Sequence, residues 1–461
     1  MEFKGLRATI IGLAREGSAL ARFLAERGAE VTVTDIKGEE ELRERMVPLA
    51  HLPIRFVLGS HPIDLLDETD ILFVSPGVPL EIPIVQEARK RGIPVSGESR
   101  LFCELCPATI IGITGSSGKT TTTAVTGEML KEAGIPTWVG GNIGRPLIES
   151  LEKIQPQDRV VMELSSFQLK LFGPDFGLKP LSPPVAAILN ITPNHLDRHP
   201  SMEDYIAAKK NIFLHQGENG VAVFGYDNAI SRSLAAEAKG KVWFFSLGEL
   251  PEGAFLRNDR LYLKMDETEL EICRTDEIKM LGRHNVANLL AASLLASIGG
   301  ADIEAIRNVA INFKGVEHRL EFVREVRGVK YYNDSIATSP ERVVAALNSF
   351  DEPIVLLAGG KDKNLPWEEM AALTVKKVRH IVIFGEAAPK IERAVREARS
   401  RLGASTPEIS LCSTLEEAVA EASRVAMPGD IVLLSPGGTS FDAFRDYAHR
   451  GERFKELVAR L

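Results

Sequence analysis

The residues of this chain best equipped for chemistry lie together in GITGSSGKTTT at 112–122. Gly115, Ser116, Ser117 and Gly118 make a small-residue turn whose backbone N–H groups can converge on one point. Lys119 adds a full positive charge there, and the hydroxyls of Thr120, Thr121 and Thr122 follow. A Gly-rich turn that opens a helix favours an anion, because unpaired amides and the helix dipole both face it. The lysine reaches phosphates, and the hydroxyl after it can ligate the Mg²⁺ that accompanies a nucleoside triphosphate. The pattern G-x-x-x-x-G-K-[ST] asks for glycine at 113, where this chain has Ile113; the loop fits T-G-x-x-G-K-[ST]-[ST] instead. An ordinary Gly/Ser turn would need neither the lysine nor the threonine run. ATP and Mg²⁺ are the expected ligands.

Such a loop needs a strand before it and a helix after it. ATIIGI at 108–113 and TTTAVTGEMLKEAG at 121–134 read as that strand and helix. Apolar runs alternate with helix-period segments along most of the chain, which predicts an α/β fold with parallel sheets. Three segments are expected: an N-terminal Rossmann-like domain over 1–106, a central phosphate-loop mononucleotide-binding α/β domain over 107–314, and a C-terminal Rossmann-like domain over 315–461.

The first segment opens with RATIIGLAREGSALARFLAERGAEVTVTD at 7–35. It reads strand, Gly turn, helix, strand and acidic residue, the dinucleotide-binding plan, with Asp35 placed to meet a ribose or to cap the strand end. Gly12 and Gly17 are present, but Ala14 stands where glycine admits a pyrophosphate, so a nucleotide-related ligand is expected rather than NAD. ILFVSPGVP at 71–79 offers a second turn to the same crevice. In the second segment, VVMELSSFQL at 160–169 and AAILNITPNHLDRHP at 186–200 are strands ending in polar clusters. Ligands of open α/β sheets collect at such carboxyl ends. Glu163 is there a candidate Mg²⁺ ligand and His195 a candidate site residue. LGRHNVANLLAASLLASIGG at 281–300 places Asn285 and Asn288 on one helical face. In the third segment, strands end in YYNDSIATSPE, VLLAGGKDKN and IVLLSPGGTSFDAF, and GVEHRLE at 315–321 places His318 and Arg319 to reach a nucleotide.

Composition narrows the function class. The 461 residues are 44% apolar, with a formal charge of −8 and acids and bases interspersed, which suggests well-buried cores and no nucleic-acid surface. No apolar run is long enough for a membrane span, and MEFKGLRATIIGLARE does not read as a signal peptide. Four cysteines in so long a chain make no disulfide framework, which points to the cytoplasm. Cys103 and Cys106 form a lone C-x-x-C without a second pair and read as small buried residues at a domain boundary.

Taken with ELSSFQL at 163–169, NDSIATSP at 333–340, SPGGTSFDAF at 435–444 and RGERF at 450–454, the phosphate loop resembles that of the Mur ligases, a family of ATP-dependent amide-forming enzymes. The resemblance covers nearly the whole chain and is closest to the branch that adds D-glutamate to UDP-N-acetylmuramoyl-L-alanine. It implies that Asp35, Ile36, Lys37, Gly77, Asn142 and His195 contact the UDP-linked substrate. It implies that Lys119 binds the ATP phosphates, that Asn285, Asn288, Arg319 and Asp334 complete the nucleotide site, and that Thr120, Glu163, His195 and Lys209 hold two Mg²⁺ ions. Lys209 would act as a carbamate, a modification that converts its cation into an anion. Catalytic roles fall to Lys119, Glu163, His195, Lys209, Arg319 and Asp334. Thr338, Lys363, Ser440, Phe441 and Tyr447 would bind D-glutamate. Ile336 stands where some members have lysine, so no charge role is carried to it, and Phe441 and Tyr447 replace other apolar or aromatic residues. A monomer acting on small molecules is expected. A folylpolyglutamate synthase-like ligase normally lacks the N-terminal domain, and an NAD-dependent dehydrogenase leaves the phosphate loop unexplained. A nucleotide-triggered switch leaves the many polar strand ends unexplained.

Overall fold

A computed structural model describes residues 3–193, 198–280, 282–363 and 365–461. They form two compact units, Met1–Ile278 with Arg283–Phe313, and Lys279–Gly282 with Lys314–Leu461.

The first unit holds two sheets. One has the strand order Ile54–Leu58, Glu30–Asp35, Arg7–Ile11, Ile71–Val74, Val95–Ser96, all parallel. The central strand, RATII, is buried at four of its five positions, as a strand covered on both faces must be. Helix Arg15–Glu26 supplies the first crossover and buries Leu20, Phe23 and Leu24 against the sheet. The chain order reverses beside Arg7–Ile11, so Gly12, Asp35 and Ser75 all fall at the carboxyl ends that flank the switch point, where such sheets bind ligands.

The other sheet runs Thr268–Arg274, Arg260–Met265, Gly253–Arg257, Lys241–Ser246, Val221–Gly225, Val185–Ile188, Thr109–Thr114, Arg159–Glu163, Thr137–Gly141. Its first three strands pair antiparallel and the remaining pairings are parallel. Thr109–Thr114 sits between Val185–Ile188 and Arg159–Glu163, so the phosphate loop emerges with polar strand ends on both sides. Helices Lys119–Glu132 and Arg283–Ile298 follow from the sequence as expected. Three α/β segments were expected and three sheets are present, but the first two share one core. Phe23, Leu24 and Phe102 belong to the same apolar cluster as Leu147, Ile148, Val160 and Met162.

The second unit is a six-stranded sheet ordered Glu321–Val326, Val329–Asn333, Ile431–Gly437, Ile354–Gly359, Val378–Phe384, Glu408–Leu411. Only the first strand is antiparallel. Every residue of Ile354–Gly359 and Ile431–Gly437 is buried, and their adjacent carboxyl ends carry two of the polar loops read from the sequence. All four cysteines are free, and no helix among the described residues is long and apolar enough to cross a membrane.

Candidate active site

The phosphate loop is shaped by close approaches that only small residues permit. Gly118 caps helix Lys119–Glu132 with φ +81°, and a Cβ there would lie 2.3 Å from Asn288 Oδ1. Ser116 N donates to Asn190 O at 2.9 Å and Ser117 N to Asn190 Oδ1 at 3.0 Å, so Asn190 braces the turn from the next strand. Ser116 Oγ meets Tyr205 OH at 3.0 Å and donates to Thr192 O at 2.9 Å. Lys119 Nζ folds over the loop and donates to Gly115 O at 2.8 Å and Ser116 O at 3.2 Å. Thr121 and Thr122 turn into the core, where Thr122 Oγ1 lies 3.5 Å from Asn288 Oδ1. Asn288 Nδ2 in turn donates to Asn285 Oδ1 at 3.0 Å, as expected of residues on one helical face.

Beside the loop, Glu163 ends its strand almost fully buried. Thr120 Oγ1 donates to its Oε2 at 2.8 Å, and Asn142 Nδ2 to its Oε1 at 2.8 Å. Asn142 N also donates to Glu163 O at 2.9 Å, an approach that requires Gly141, since a Cβ there would stand 2.3 Å from that oxygen. Lys209, at the end of helix Met202–Lys210, is 1% exposed and donates to Gly115 O at 2.9 Å and Thr114 Oγ1 at 3.3 Å. Burial, then the charge of Lys119, hold its pKa well below the ordinary lysine value against the pull of Glu163. His195 lies outside the described residues.

At the first sheet, Asp35 caps rather than projects: its Oδ2 accepts from Leu13 N at 2.7 Å and its Oδ1 from Lys37 N at 3.0 Å. Gly12 takes φ +93° and Ser75 Oγ donates to its carbonyl at 2.8 Å. Ile36, Lys37 and Gly77 are exposed around this turn, Ile36 to 72%. Deeper, Glu16 and Glu98 border a small cavity of about 30 Å³ together with Ser75, Ser99, Gln168 and His199. Burial first, then the neighbouring Glu98, pushes the Glu16 carboxyl up to about 8, and burial pushes Glu98 to about 7.

In the second unit three loops are stitched together. Gly437 N donates to Ala337 O at 2.8 Å, and Lys361 and Thr439 exchange backbone hydrogen bonds of 2.7 and 2.9 Å. This brings Thr338, Lys363 and Ser440 to one end of the sheet. Lys363 Nζ lies 3.4 Å from Thr338 Oγ1, and its pKa is lowered by burial and by Arg342. Phe441 is 68% and Tyr447 40% exposed, while Ser440 is buried. Asp334 is buried, accepts from Ser435 Oγ at 2.8 Å and Leu320 N at 3.2 Å, and is pushed up to about 7 by burial. Arg319 stands close enough to pull it partly back. His318, expected to reach for a nucleotide, is instead turned inward, 5% exposed, with Asn333 Nδ2 donating to its Nδ1 at 2.9 Å.

Some organising residues received no role from the sequence reading. Arg450 is fully buried and clamps Ser335 O at 2.9 Å and Gly438 O at 3.2 Å, tying two of these loops. His199 bridges Ser166 Oγ at 2.9 Å and Asp204 Oδ2 at 2.6 Å, joining the segment after Glu163 to the helix that carries Lys209. Asn190 had a signal, a polar residue directly after an apolar strand.

The chain matches three family models in succession: the N-terminal domain of MurD-like Mur ligases over 6–97, the Mur ligase middle domain over 113–296, and the Mur ligase glutamate ligase domain over 318–438. It is 44% identical to UDP-N-acetylmuramoylalanine--D-glutamate ligase of Acetivibrio thermocellus, covering 99% of this chain and 97% of that one. It is 45% identical to the protein of the same name from Symbiobacterium thermophilum, covering 99% and 98%. Among solved structures it shares its fold with MurF of Acinetobacter baumannii (TM-score 0.59, 19% identity, 99% and 93% covered). The UDP-N-acetylmuramate-alanine ligase MurC of Thermotoga maritima is similar at TM-score 0.57 and 19% identity, with 99% of each chain covered.

Proposed function

Because the chain belongs to the Mur ligase family, we propose that it joins D-glutamate to UDP-N-acetylmuramoyl-L-alanine at the expense of ATP, in peptidoglycan precursor synthesis. The observation that carries this reading is the Thr120 hydroxyl set on the Glu163 carboxylate at the mouth of the phosphate loop, in a chain related to such ligases over its whole length. The folylpolyglutamate synthase-like and dehydrogenase readings are set aside, since residues 6–97 match the MurD-like N-terminal domain.

A carboxylate oxygen of the substrate attacks the γ-phosphorus of ATP, ADP leaves, and an acyl phosphate forms. The amine nitrogen of D-glutamate then attacks the acyl carbon, the carbon–oxygen bond to phosphate breaks, and the amine loses a proton. Phosphoryl transfer asks the protein for positioning and charge neutralisation more than for covalent chemistry. Lys119 supplies charge at the phosphates, and Gly115, Ser116, Ser117, Gly118, Thr121 and Thr122 shape the cradle. Asn285, Asn288, Arg319 and Asp334 are the remaining nucleotide contacts carried from the family. Thr120 and Glu163 present hard oxygen donors 2.8 Å apart, a set that suits Mg²⁺, and with His195 and a carbamate on Lys209 would hold two ions. Bound there, Mg²⁺ neutralises phosphate charge. The depressed Lys209 pKa supports the carbamate, because only a neutral amine adds to CO₂, releasing one proton.

Asp35, Ile36, Lys37, Gly77, Asn142 and His195 are assigned to the UDP-linked substrate, and Thr338, Lys363, Ser440, Phe441 and Tyr447 to D-glutamate. Domain boundaries at 106/107 and 314/315 accord with the three sheets and the three matched spans. A cytoplasmic monomer completes the reading.

The test is ADP release with UDP-N-acetylmuramoyl-L-alanine and D-glutamate, L-glutamate or no amino acid. Release that needs both substrates, prefers the D isomer and vanishes in folded Lys119→Ala is expected. Release independent of the amino acid, or full turnover by Lys119→Ala, overturns the reading.

A further inference from the structure

Glu317, His318 and Glu452 bring potential metal-ligand atoms within 4.8 Å of one another. The cluster already holds a cation supplied by the chain itself: Lys455 Nζ donates to Glu317 Oε1 and Glu452 Oε1, each at 2.7 Å, and to Glu321 Oε1 at 3.3 Å. The lysine side chain is only 21% exposed, so this is not a loose surface pair. Its three carboxylates raise its pKa, and it holds Glu317 below the usual carboxylate range.

The lock lies against an unusual turn. Gly315, His318 and Leu320 have φ of +116°, +61° and +46°, and the last two are conformations that L-residues keep only where their surroundings impose them. Glu321 Oε2 accepts from His318 N at 2.9 Å and from Asn333 Nδ2 at 3.0 Å, while its other oxygen faces Lys455. Gly451, one turn before Lys455 on helix Tyr447–Ala459, leaves room for the His318 ring: a Cβ there would stand 2.3 Å from Nδ1. On the other side Leu320 N donates to Asp334 Oδ1 at 3.2 Å, and Ile336 N to His318 O at 3.2 Å. Arg319 sits between the two left-handed residues, so its direction is set by whatever holds them.

We propose that Lys455 and Gly451 are positioning residues that fix the turn 318–320 and so present Arg319 for its work on the nucleotide; this rests on the reading of Arg319 as a nucleotide contact. Without the Lys455 charge, three adjacent carboxylates repel, Glu321 swings from His318 N, and the turn leaves its left-handed form. If the competent turn is then populated about one-tenth of the time, the apparent KM for ATP rises about tenfold.

The experiment measures KM for ATP and for D-glutamate, with melting temperature, in Lys455→Met, Lys455→Arg, Gly451→Ala and Arg319→Ala. Expected are a roughly tenfold higher ATP KM in Lys455→Met and Gly451→Ala, a D-glutamate KM within about twofold of the parent, and recovery of the ATP KM in Lys455→Arg. A lower melting temperature with an unchanged ATP KM in the folded protein, or an equal rise in both KM values, overturns the proposal. A raised ATP KM in Arg319→Ala alone refutes the lock and spares the reading of Arg319. An unchanged ATP KM in Arg319→Ala refutes that reading itself. Should Lys455→Met not fold, Lys455→Gln, which removes the same charge but keeps a polar side chain, decides by the same criterion with a rise of about tenfold.

Discussion

Replacing Gly118 by alanine tests the cradle at its tightest point. Two terms oppose the change. An alanine at φ +81° costs about 1 kcal/mol in backbone conformation alone. Its Cβ would also meet Asn288 Oδ1 at 2.3 Å, where side chains tolerate no less than 3.0 Å. Asn288 is 8% exposed and has little room to retreat, and moving it breaks the 3.0 Å hydrogen bond to Asn285, for about another 1 kcal/mol. Where nucleotide binding must hold the loop in its parent form, binding bears that total of about 2 kcal/mol, a rise of about 30-fold in the KM for ATP. Gly134→Ala is the matched control. It lies beyond the other end of the same helix with φ +75°, and no atom stands within 4 Å of its added Cβ, so it carries the conformational term without the collision. ADP release against ATP concentration, with melting curves for both variants, separates the two. An ATP KM within about twofold of the parent in Gly118→Ala, or equal shifts in both variants, would refute the argument.

Glu16→Gln should gain stability relative to the parent as pH rises from about 5 to about 8, by an amount on the order of a few kcal/mol. The sign follows from the raised carboxyl: between 4.5 and about 8 the folded state binds the proton that the unfolded state has lost, so the parent loses stability across that window, and a flat difference between the two melting profiles would contradict it. Lys209 should take up ¹³C label from bicarbonate selectively, because burial and Lys119 hold its pKa well below that of exposed lysines. A carbamate carbon signal in the parent that is missing in Lys209→Met is expected, and no signal in the parent at mildly alkaline pH counts against the carbamate.

The parts of the candidate site legible in the sequence are those whose chemistry is local. The phosphate loop, the acidic strand end at Glu163 and the Asn285–Asn288 pair each fit within a few residues, and their period or spacing is set by one element. What was not legible depends on residues far apart in the chain. Asn190 closes on Ser117 from another strand, Gly141 admits Glu163, and Arg450 ties loops more than a hundred residues apart. The shared core of the first two sheets escaped for the same reason, since helix Arg15–Glu26 looks complete with its own sheet and only packing shows that it also meets Leu147 and Ile148. His318 shows the limit most clearly. Its position beside Arg319 suggested a role facing outward, but a left-handed turn and an absent side chain at Gly451 draw it inward.

The carbonyl of Gly115 gives the loop its electrostatic logic. Lys119 and Lys209 both donate to it, at 2.8 and 2.9 Å. Two ammonium groups sharing one carbonyl oxygen repel, and the charge of Lys119 adds to burial in lowering the Lys209 pKa. Burial is the larger of the two causes for Lys209. Lys209 is almost wholly enclosed, whereas Lys119 is half-buried at the mouth of the loop. On the proposed reading, the lysine that would bind phosphate thus also depresses the pKa of Lys209 near the Thr120–Glu163 pair. A carbamate formed there would turn the repulsion between the two lysines into an attraction, so the cation that binds ATP would also hold the modified lysine in place.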